Sequence, residues 1–137
     1  MNTNTERLDA RRQISALSLD VVSIVVFAAI GRRSHDESRG LGAVLSTAAP
    51  FLLALIVGWG ATTLLASRRP QLRDGAAVDA GVSIWIVTVT LGLLSRRVLW
   101  DRGTAFAFVV VAALVLGAFI VGRRAAVRSW ATRRTHA

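Results

Sequence analysis

The sequence predicts an all-α integral membrane protein, an integral membrane bundle of four transmembrane helices whose sequential neighbours are antiparallel. The first observation is composition: hydrophobic residues make up 53% of the 137 positions. With the 11 glycines the apolar share is about 61%, against about 45–50% in soluble domains. The second observation is that the charged residues cluster between long apolar runs, as they do in proteins that fold in a bilayer.

Four apolar runs have the length of membrane spans, and they cover residues 14–31, 41–66, 76–95 and 104–122. A helix of about 20 residues, within a range of about 17–25, crosses the hydrocarbon core. The last three runs meet this requirement comfortably, and the first is near its lower limit. Helices are expected because backbone groups in lipid must be paired within their own segment, and no alternation typical of membrane β-strands is present.

The runs divide the chain into an N-terminal tail (1–13), a transmembrane domain (14–122) and a basic C-terminal tail (123–137). The charged connections between the runs are short, which forces sequential helices to lie side by side and antiparallel. Arginine pairs recur at matching places in the two halves, as in Arg32-Arg33 and Arg96-Arg97. A repeat of two helical hairpins is therefore a further hypothesis.

The distribution of arginine predicts the orientation of the chain. All 17 basic residues are arginine, a bias typical of bacterial genomes rich in G and C. Eleven arginines fall in the two tails and the second connection, and six fall in the other two arginine-rich loops. Because positive charge is retained in the cytoplasm, we expect a multi-pass protein of the cell (inner) membrane with both termini cytoplasmic. The alternative, a signal peptide cleaved near Ala28-Ala29, is disfavoured by Asp20 within the apolar run.

Composition also excludes much chemistry. There is no cysteine, so disulfides, thiolate metal ligands and thiol nucleophiles are excluded. No phosphate-binding loop, nucleophile elbow or paired metal motif occurs. We therefore expect no enzyme activity, no cofactor and no metal. The net charge of +9 could suggest nucleic acid, but the arginines flank apolar runs, so no nucleic-acid partner is expected.

The lipid bilayer, with anionic headgroups in its inner leaflet, is the partner that the basic tail predicts. Each basic residue near such a surface contributes about 1 kcal/mol to binding. We expect the tail to lie along that leaflet, with Trp130 at the interface. The arginines assigned to headgroups are Arg123, Arg124, Arg128, Arg133 and Arg134.

One stretch, Phe27-Ala28-Ala29-Ile30-Gly31-Arg32-Arg33-Ser34-His35-Asp36-Glu37, resembles the signature of the bacterial membrane family called domain of unknown function 3054. Further shared elements are Thr47 with Pro50-Phe51, Gly58-Trp59, Pro70, Gly81 with Trp85, Gly92 with Arg96, and Gly122-Arg123. The resemblance covers residues 14–128, with Gly122-Arg123-Arg124 where the family has Gly-Trp-Arg. It implies a small multispanning membrane protein and supplies no activity.

Asp20 is the acidic residue deepest in an apolar run, and two interpretations of it are open. If Arg32 marks the outer boundary, Asp20 lies near mid-membrane and is a proton- or cation-binding coupling group. If the first helix instead lies further toward the outer side of the membrane, Asp20 forms an ion pair near the inner interface with Arg11, Arg12 or Arg123. The candidate coupling or ion-pair residues are therefore Asp20, Arg96 and Arg123.

A second candidate site, an outer-loop motif for a metal ion or proton, consists of Arg32, Arg33, His35 and Asp36, although a solvated loop is the simpler interpretation.

Small residues predict where helices pack. They recur every four positions in the second run, at Ser46, Pro50, Ala54, Gly58 and Thr62, and Ala118 pairs with Gly122 in the last run. Such faces let helix backbones approach closely in lipid, within one chain, in a homo-oligomer or with a membrane protein partner. The favoured function is a structural or accessory subunit of unknown activity. The alternative is a small oligomeric proton-coupled transporter or channel that uses Asp20.

Overall fold

The structure, a computed structural model, describes residues 3–33, 40–98 and 106–134. Within these ranges every regular element is helical. In chain order they are α1 (Thr3–Arg33), α2 (Leu41–Leu65), a short 3-10 turn (Pro70–Leu72), α3 (Val78–Val98), α4 (Phe106–Gly117), a wide π-helical turn (Ala118–Gly122) and α5 (Arg123–Arg134). The last three elements follow one another without a gap, so α4, the wide turn and α5 form one long helical unit.

Four helical segments are long and apolar enough to cross a membrane: Thr5–Gly31, Leu41–Leu65, Val78–Val98 and Phe106–Arg133. The prediction of an all-α bundle with four transmembrane helices is therefore confirmed. The chain is a multi-pass membrane protein.

The four spans form a closed ring in which α1 packs on α2, α2 on α3, α3 on α4, and α4 on α1. Among the described residues, the diagonal pairs α1–α3 and α2–α4 have no Cα atoms within 8 Å of each other. Successive helices run in opposite directions. We call the end that carries the start of α1, the connection 66–77 and α5 the terminal end, and the opposite end, where α2 and α4 begin, the distal end. The repeat of two hairpins stays a prediction.

The interior of the ring is apolar, with Phe51, Leu55, Ile84 and Leu116 among its fully buried side chains. The small-residue stripe of α2 faces this interior. At its closest point, Gly58 packs on α3 so tightly that a Cβ there would lie 3.2 Å from the Ile84 carbonyl oxygen. This contact explains why α2 and α3 are the most closely packed pair.

The helices are longer than the apolar runs at both chain ends. α1 begins at Thr3 rather than near Ile14, because most residues from 6 to 13, including the three arginines, are good helix formers. At the other end the helix continues through Gly122 to Arg134. Gly122 is thus not the end of a helix, and the basic tail as far as Arg134 is a helical continuation of the last span.

Candidate functional site

A buried cluster of charged and polar groups lies at the terminal end and joins three of the four spans to the α2–α3 connection. Its members, which we call the Asp20 cluster, are Asp20 of α1, Trp59 of α2, Gly75 of the α2–α3 connection, and Arg123 and Arg124 at the start of α5. Asp20 is 0% exposed and Arg124 is 3% exposed. A full ion pair is thus buried inside a largely apolar bundle.

Asp20 accepts four hydrogen bonds. Its Oδ1 accepts from Nη2 of Arg123 at 3.0 Å and from Nη1 of Arg124 at 2.8 Å. Its Oδ2 accepts from Nη2 of Arg124 at 2.7 Å and from the indole Nε1 of Trp59 at 3.2 Å. A carboxylate has about four lone-pair sites, so its hydrogen-bonding capacity is filled.

Arg124 is equally well satisfied. Its two Nη atoms donate hydrogen bonds to the two carboxylate oxygens of Asp20, the bidentate geometry that suits guanidinium and carboxylate groups. Nη1 also donates to the Ile120 carbonyl at 2.7 Å, while Nε and Nη2 donate to the Gly75 carbonyl at 3.2 and 3.0 Å. A guanidinium has five N–H groups, and these five bonds engage them all. Arg124 therefore ties α1 to the α2–α3 connection and to its own helix.

The local sequence makes room for this side chain in two ways. The wide turn Ala118–Gly122 precedes Arg124, and the Ile120 carbonyl within it accepts a side-chain hydrogen bond. Opposite, Gly81 of α3 leaves the space that the Arg124 stem fills, since a Cβ on Gly81 would lie 2.5 Å from its Cδ. The absence of a side chain at Gly75 likewise admits the Trp59 ring, which would collide with a Cβ there. Two glycines on neighbouring elements thus shape the cluster.

The depth of the cluster follows from the helical rise. At 1.5 Å per residue, Trp59 is about 27 Å from Leu41 along α2, and Asp20 is about 20 Å from Arg33 along α1. The hydrocarbon core is about 30 Å thick. The cluster therefore lies in the terminal half of the membrane span, toward its boundary, and not at the midpoint.

A second, exposed ion pair lies at the same end. Nη2 of Arg12 is 3.2 Å from Oδ2 of Asp74, and the two side chains are 60% and 40% exposed. Asp74 also accepts a hydrogen bond from the Ala76 backbone N–H, which holds the connection before α3. This pair links α1 to the same connection whose Gly75 carbonyl binds Arg124.

Arg96, a candidate partner of Asp20, lies elsewhere. It is near the end of α3, about 22 Å along the helix from Gly81, and its guanidinium carbon is 4.5 Å from the centre of the Phe108 ring. Phe108 packs in turn on Phe27 and Phe51, at centroid distances of 5.9 and 6.3 Å. The structure therefore brings Arg123, but not Arg96, to Asp20.

The residues of the predicted outer-loop motif lie at or beyond the end of the first described range, residues 3–33. Arg32 and Arg33 end α1, but their side chains lie outside the described part, as do His35 and Asp36 altogether. In the described ranges, no three His, Cys, Asp or Glu side chains are grouped so as to hold a metal ion. The motif stays a prediction.

The sequence predicted no place in this cluster for Arg124, Trp59 or Gly75. The assignment of Arg124 to anionic headgroups is wrong, because its side chain is buried against Asp20. The feature that could have predicted the burial of Arg124 is a spacing of four residues in the last span. Every fourth residue there is buried, at Ala112, Leu116, Ile120 and Arg124, so Arg124 continues the inward face of the helix. Arg128, one turn later, is exposed.

Comparison with known proteins places this architecture in a family. Comparison with the curated proteins and with the solved structures gave no match. Residues 17–127, about four fifths of the chain, match the family described as "Protein of unknown function (DUF3054)". This range begins three residues before Asp20 and ends three residues after Arg124, so it includes the whole cluster. The chain belongs to the DUF3054 family.

Proposed function

We propose that the protein is a structural or accessory subunit of a bacterial inner-membrane assembly, which packs against membrane partners and catalyses no reaction. The observation that carries the proposal is the saturation of Asp20. This carboxylate is fully buried and accepts four hydrogen bonds from three side chains. A coupling carboxylate must exchange its partners with water or a solute during each cycle, whereas a carboxylate that fastens helices is expected to be fully bonded.

The outward surface of the last span supports a packing role. Ala118 and Gly122, spaced four apart, are both exposed, and nothing lies within 4 Å of a Cβ built at Gly122. Small residues at this spacing let another helix approach closely in lipid. We place the contact with a partner, whether a membrane protein or a second copy, on this face.

Native purification tests this role. We expect the tagged chain, extracted in mild detergent, to retain one membrane protein at a fixed stoichiometry by quantitative mass spectrometry. Gly122→Leu should release that partner, because the longer side chain keeps the helices apart. Gly60→Leu is the matched control, since Gly60 is also exposed with open space around it. Recovery of the chain only as a monomer would contradict the proposal.

The proposed orientation places the terminal end in the cytoplasm. Arg128 and Arg133 of α5 are exposed there and would meet anionic headgroups. Reporter fusions after Arg39, Arg73, Arg102 and Ala137 should read out, in, out, in. A C-terminal fusion that reports the outside would overturn this orientation.

Proton-coupled transport is the alternative, and the observation in its favour is a carboxylate buried within a membrane span. Proteoliposomes with a pH-sensitive dye distinguish the two functions. Under the structural role, the wild type adds no proton flux to that of empty liposomes, and Asp20→Asn lowers thermal stability in detergent by leaving two arginines without their carboxylate. Under the transport role, the wild type carries a proton flux that Asp20→Asn abolishes.

A further inference from the structure

The charges of the Asp20 cluster do not balance. One carboxylate faces two guanidinium groups, those of Arg123 and Arg124, so the cluster carries one excess positive charge. The nearby pair of Arg12 and Asp74 is neutral in itself. An unbalanced charge inside a membrane span is costly unless a counter-charge or water meets it.

The excess charge belongs to Arg123. Arg124 has all of its N–H groups engaged, as described above. Arg123, by contrast, donates only through Nη2, to Oδ1 of Asp20 at 3.0 Å and to the Ala16 carbonyl at 3.4 Å. Its Nε is buried without a hydrogen-bond partner, and no hydrogen bond to a described protein group engages its Nη1. Donors are therefore left over on this side chain.

Arg123 is also accessible from outside the bundle. Its side chain is 27% exposed, whereas that of Arg124 is 1% exposed. α1 packs on the wide turn just before Arg123, but among the described residues no Cα atom of α1 lies within 8 Å of one in α5. The two helices therefore have no close backbone contact beyond Arg123, and part of its side chain stays exposed at this level.

This position lies near the boundary of the hydrocarbon core, within reach of the lipid phosphates. Arg123 is about 26 Å along the helix from Phe106, and the hydrocarbon core is about 30 Å thick. An arginine at that depth can reach the headgroup layer with its free N–H groups. A phosphodiester there supplies both a negative charge and strong acceptor oxygens.

We propose that Arg123 binds the headgroup phosphate of one phospholipid at the exposed side of its guanidinium group, next to α1 and α5. The phosphate oxygens accept hydrogen bonds from the Nη1 N–H groups of Arg123, and the phosphate charge neutralises the cluster. The site deepens the proposed contact with anionic headgroups, but it differs from the diffuse attraction of Arg128 and Arg133 because it holds one lipid at a defined place.

The test uses the full-length chain, stripped of lipid in detergent and titrated with phosphatidylglycerol in native mass spectrometry. Diacylglycerol, which has the same acyl chains without the phosphate, is the control ligand. We expect the first phosphatidylglycerol to bind the wild type at least about tenfold more tightly than diacylglycerol, the effect of one charge-assisted hydrogen-bonded contact. Equal binding of the two ligands to the wild type would overturn the proposal without recourse to any variant.

Variants then locate the site. Arg123→Gln should remove the preference for phosphatidylglycerol, Arg123→Lys should retain most of it, and Arg128→Gln should weaken it far less than Arg123→Gln does. A preference that disappears with Arg128→Gln and persists with Arg123→Gln would overturn the assignment while leaving the proposed attraction of α5 to headgroups intact. If inorganic phosphate alone raises the wild-type melting temperature as much as phosphatidylglycerol does, and requires Arg123, the ligand is a free phosphate and the lipid assignment is wrong.

Discussion

The two ends of the bundle are held together by different forces. At the terminal end, Arg124 and Asp20 form directional hydrogen bonds that link α1, α5 and the α2–α3 connection. At the distal end, Phe27 and Phe51 pack edge to face at 5.7 Å, Phe108 lies against both, and Arg96 covers the Phe108 ring. One end therefore depends on bond geometry, and the other on shape and contact area.

This difference determines how substitutions should act. Charge-assisted hydrogen bonds need particular donor positions, so a shorter or differently branched cation cannot replace a bidentate guanidinium. Ring contacts depend on volume, and other apolar side chains of similar size can replace part of them. We therefore expect the terminal end to be intolerant of conservative changes and the distal end to be tolerant of them.

Arg124→Gln should cause the largest loss of stability. The change leaves Asp20 without its bidentate partner and the carbonyls of Gly75 and Ile120 without their donor. Breaking one side of a buried ion pair costs about 3–5 kcal/mol of unfolding free energy. Reversible unfolding in mixed micelles measures this loss. Arg124→Lys should recover only a minor part of it, and Arg128→Gln, an exposed control, should change stability by less than about 0.5 kcal/mol.

Gly81→Ala should have the next largest effect. The added methyl group would press on the Arg124 stem, whose guanidinium is held in place by its five hydrogen bonds. Overpacking of this kind costs about 1–3 kcal/mol. The matched control is Gly60→Ala, where the Cβ meets open space and the higher helix propensity of alanine makes the change neutral or stabilising. Equal melting temperatures for the two variants in detergent would show that Arg124 can shift at little cost.

Phe108→Leu tests the distal end and should cost less. Leucine fills part of the space of the ring, and such apolar exchanges usually cost under about 1.5 kcal/mol. The variant also removes the ring beneath the Arg96 guanidinium, an interaction between two partly exposed side chains that contributes about 0.5–1 kcal/mol. A loss of stability as large as that of Arg124→Gln, measured under the same conditions, would mean that the distal end is as specific as the terminal end.

Arg12→Gln should have the smallest effect. Arg12 and Asp74 form an exposed pair, and pairs of this kind contribute about 0–1 kcal/mol because water and salt screen them. The effect should also fade as the salt concentration rises. Salt titration of the melting temperature of this variant and the wild type checks both expectations, and a salt-independent loss above about 2 kcal/mol would place Arg12 in the buried network instead.

The sequence by itself determined the fold class and the number of spans. Both depend on local properties, because an apolar run of about 20 residues must be helical in lipid whatever surrounds it. Short connections then determined that neighbours are antiparallel. The sequence also singled out Asp20, since a carboxylate within an apolar run needs a partner, and it named Arg123 among the candidates.

Only the tertiary structure decided which groups surround Asp20. Arg124 is 104 positions away along the chain, and its place in the cluster depends on the wide turn before it and on the space left by Gly81. The carbonyl of Gly75 comes from a connection that looks like an ordinary charged loop. No local pattern encodes these contacts, because they form only when distant segments pack and most buried donors and acceptors need a partner. The sequence therefore indicated that Asp20 needs a counter-charge. The packing of α1 against the last span decided that this counter-charge comes from both Arg123 and Arg124.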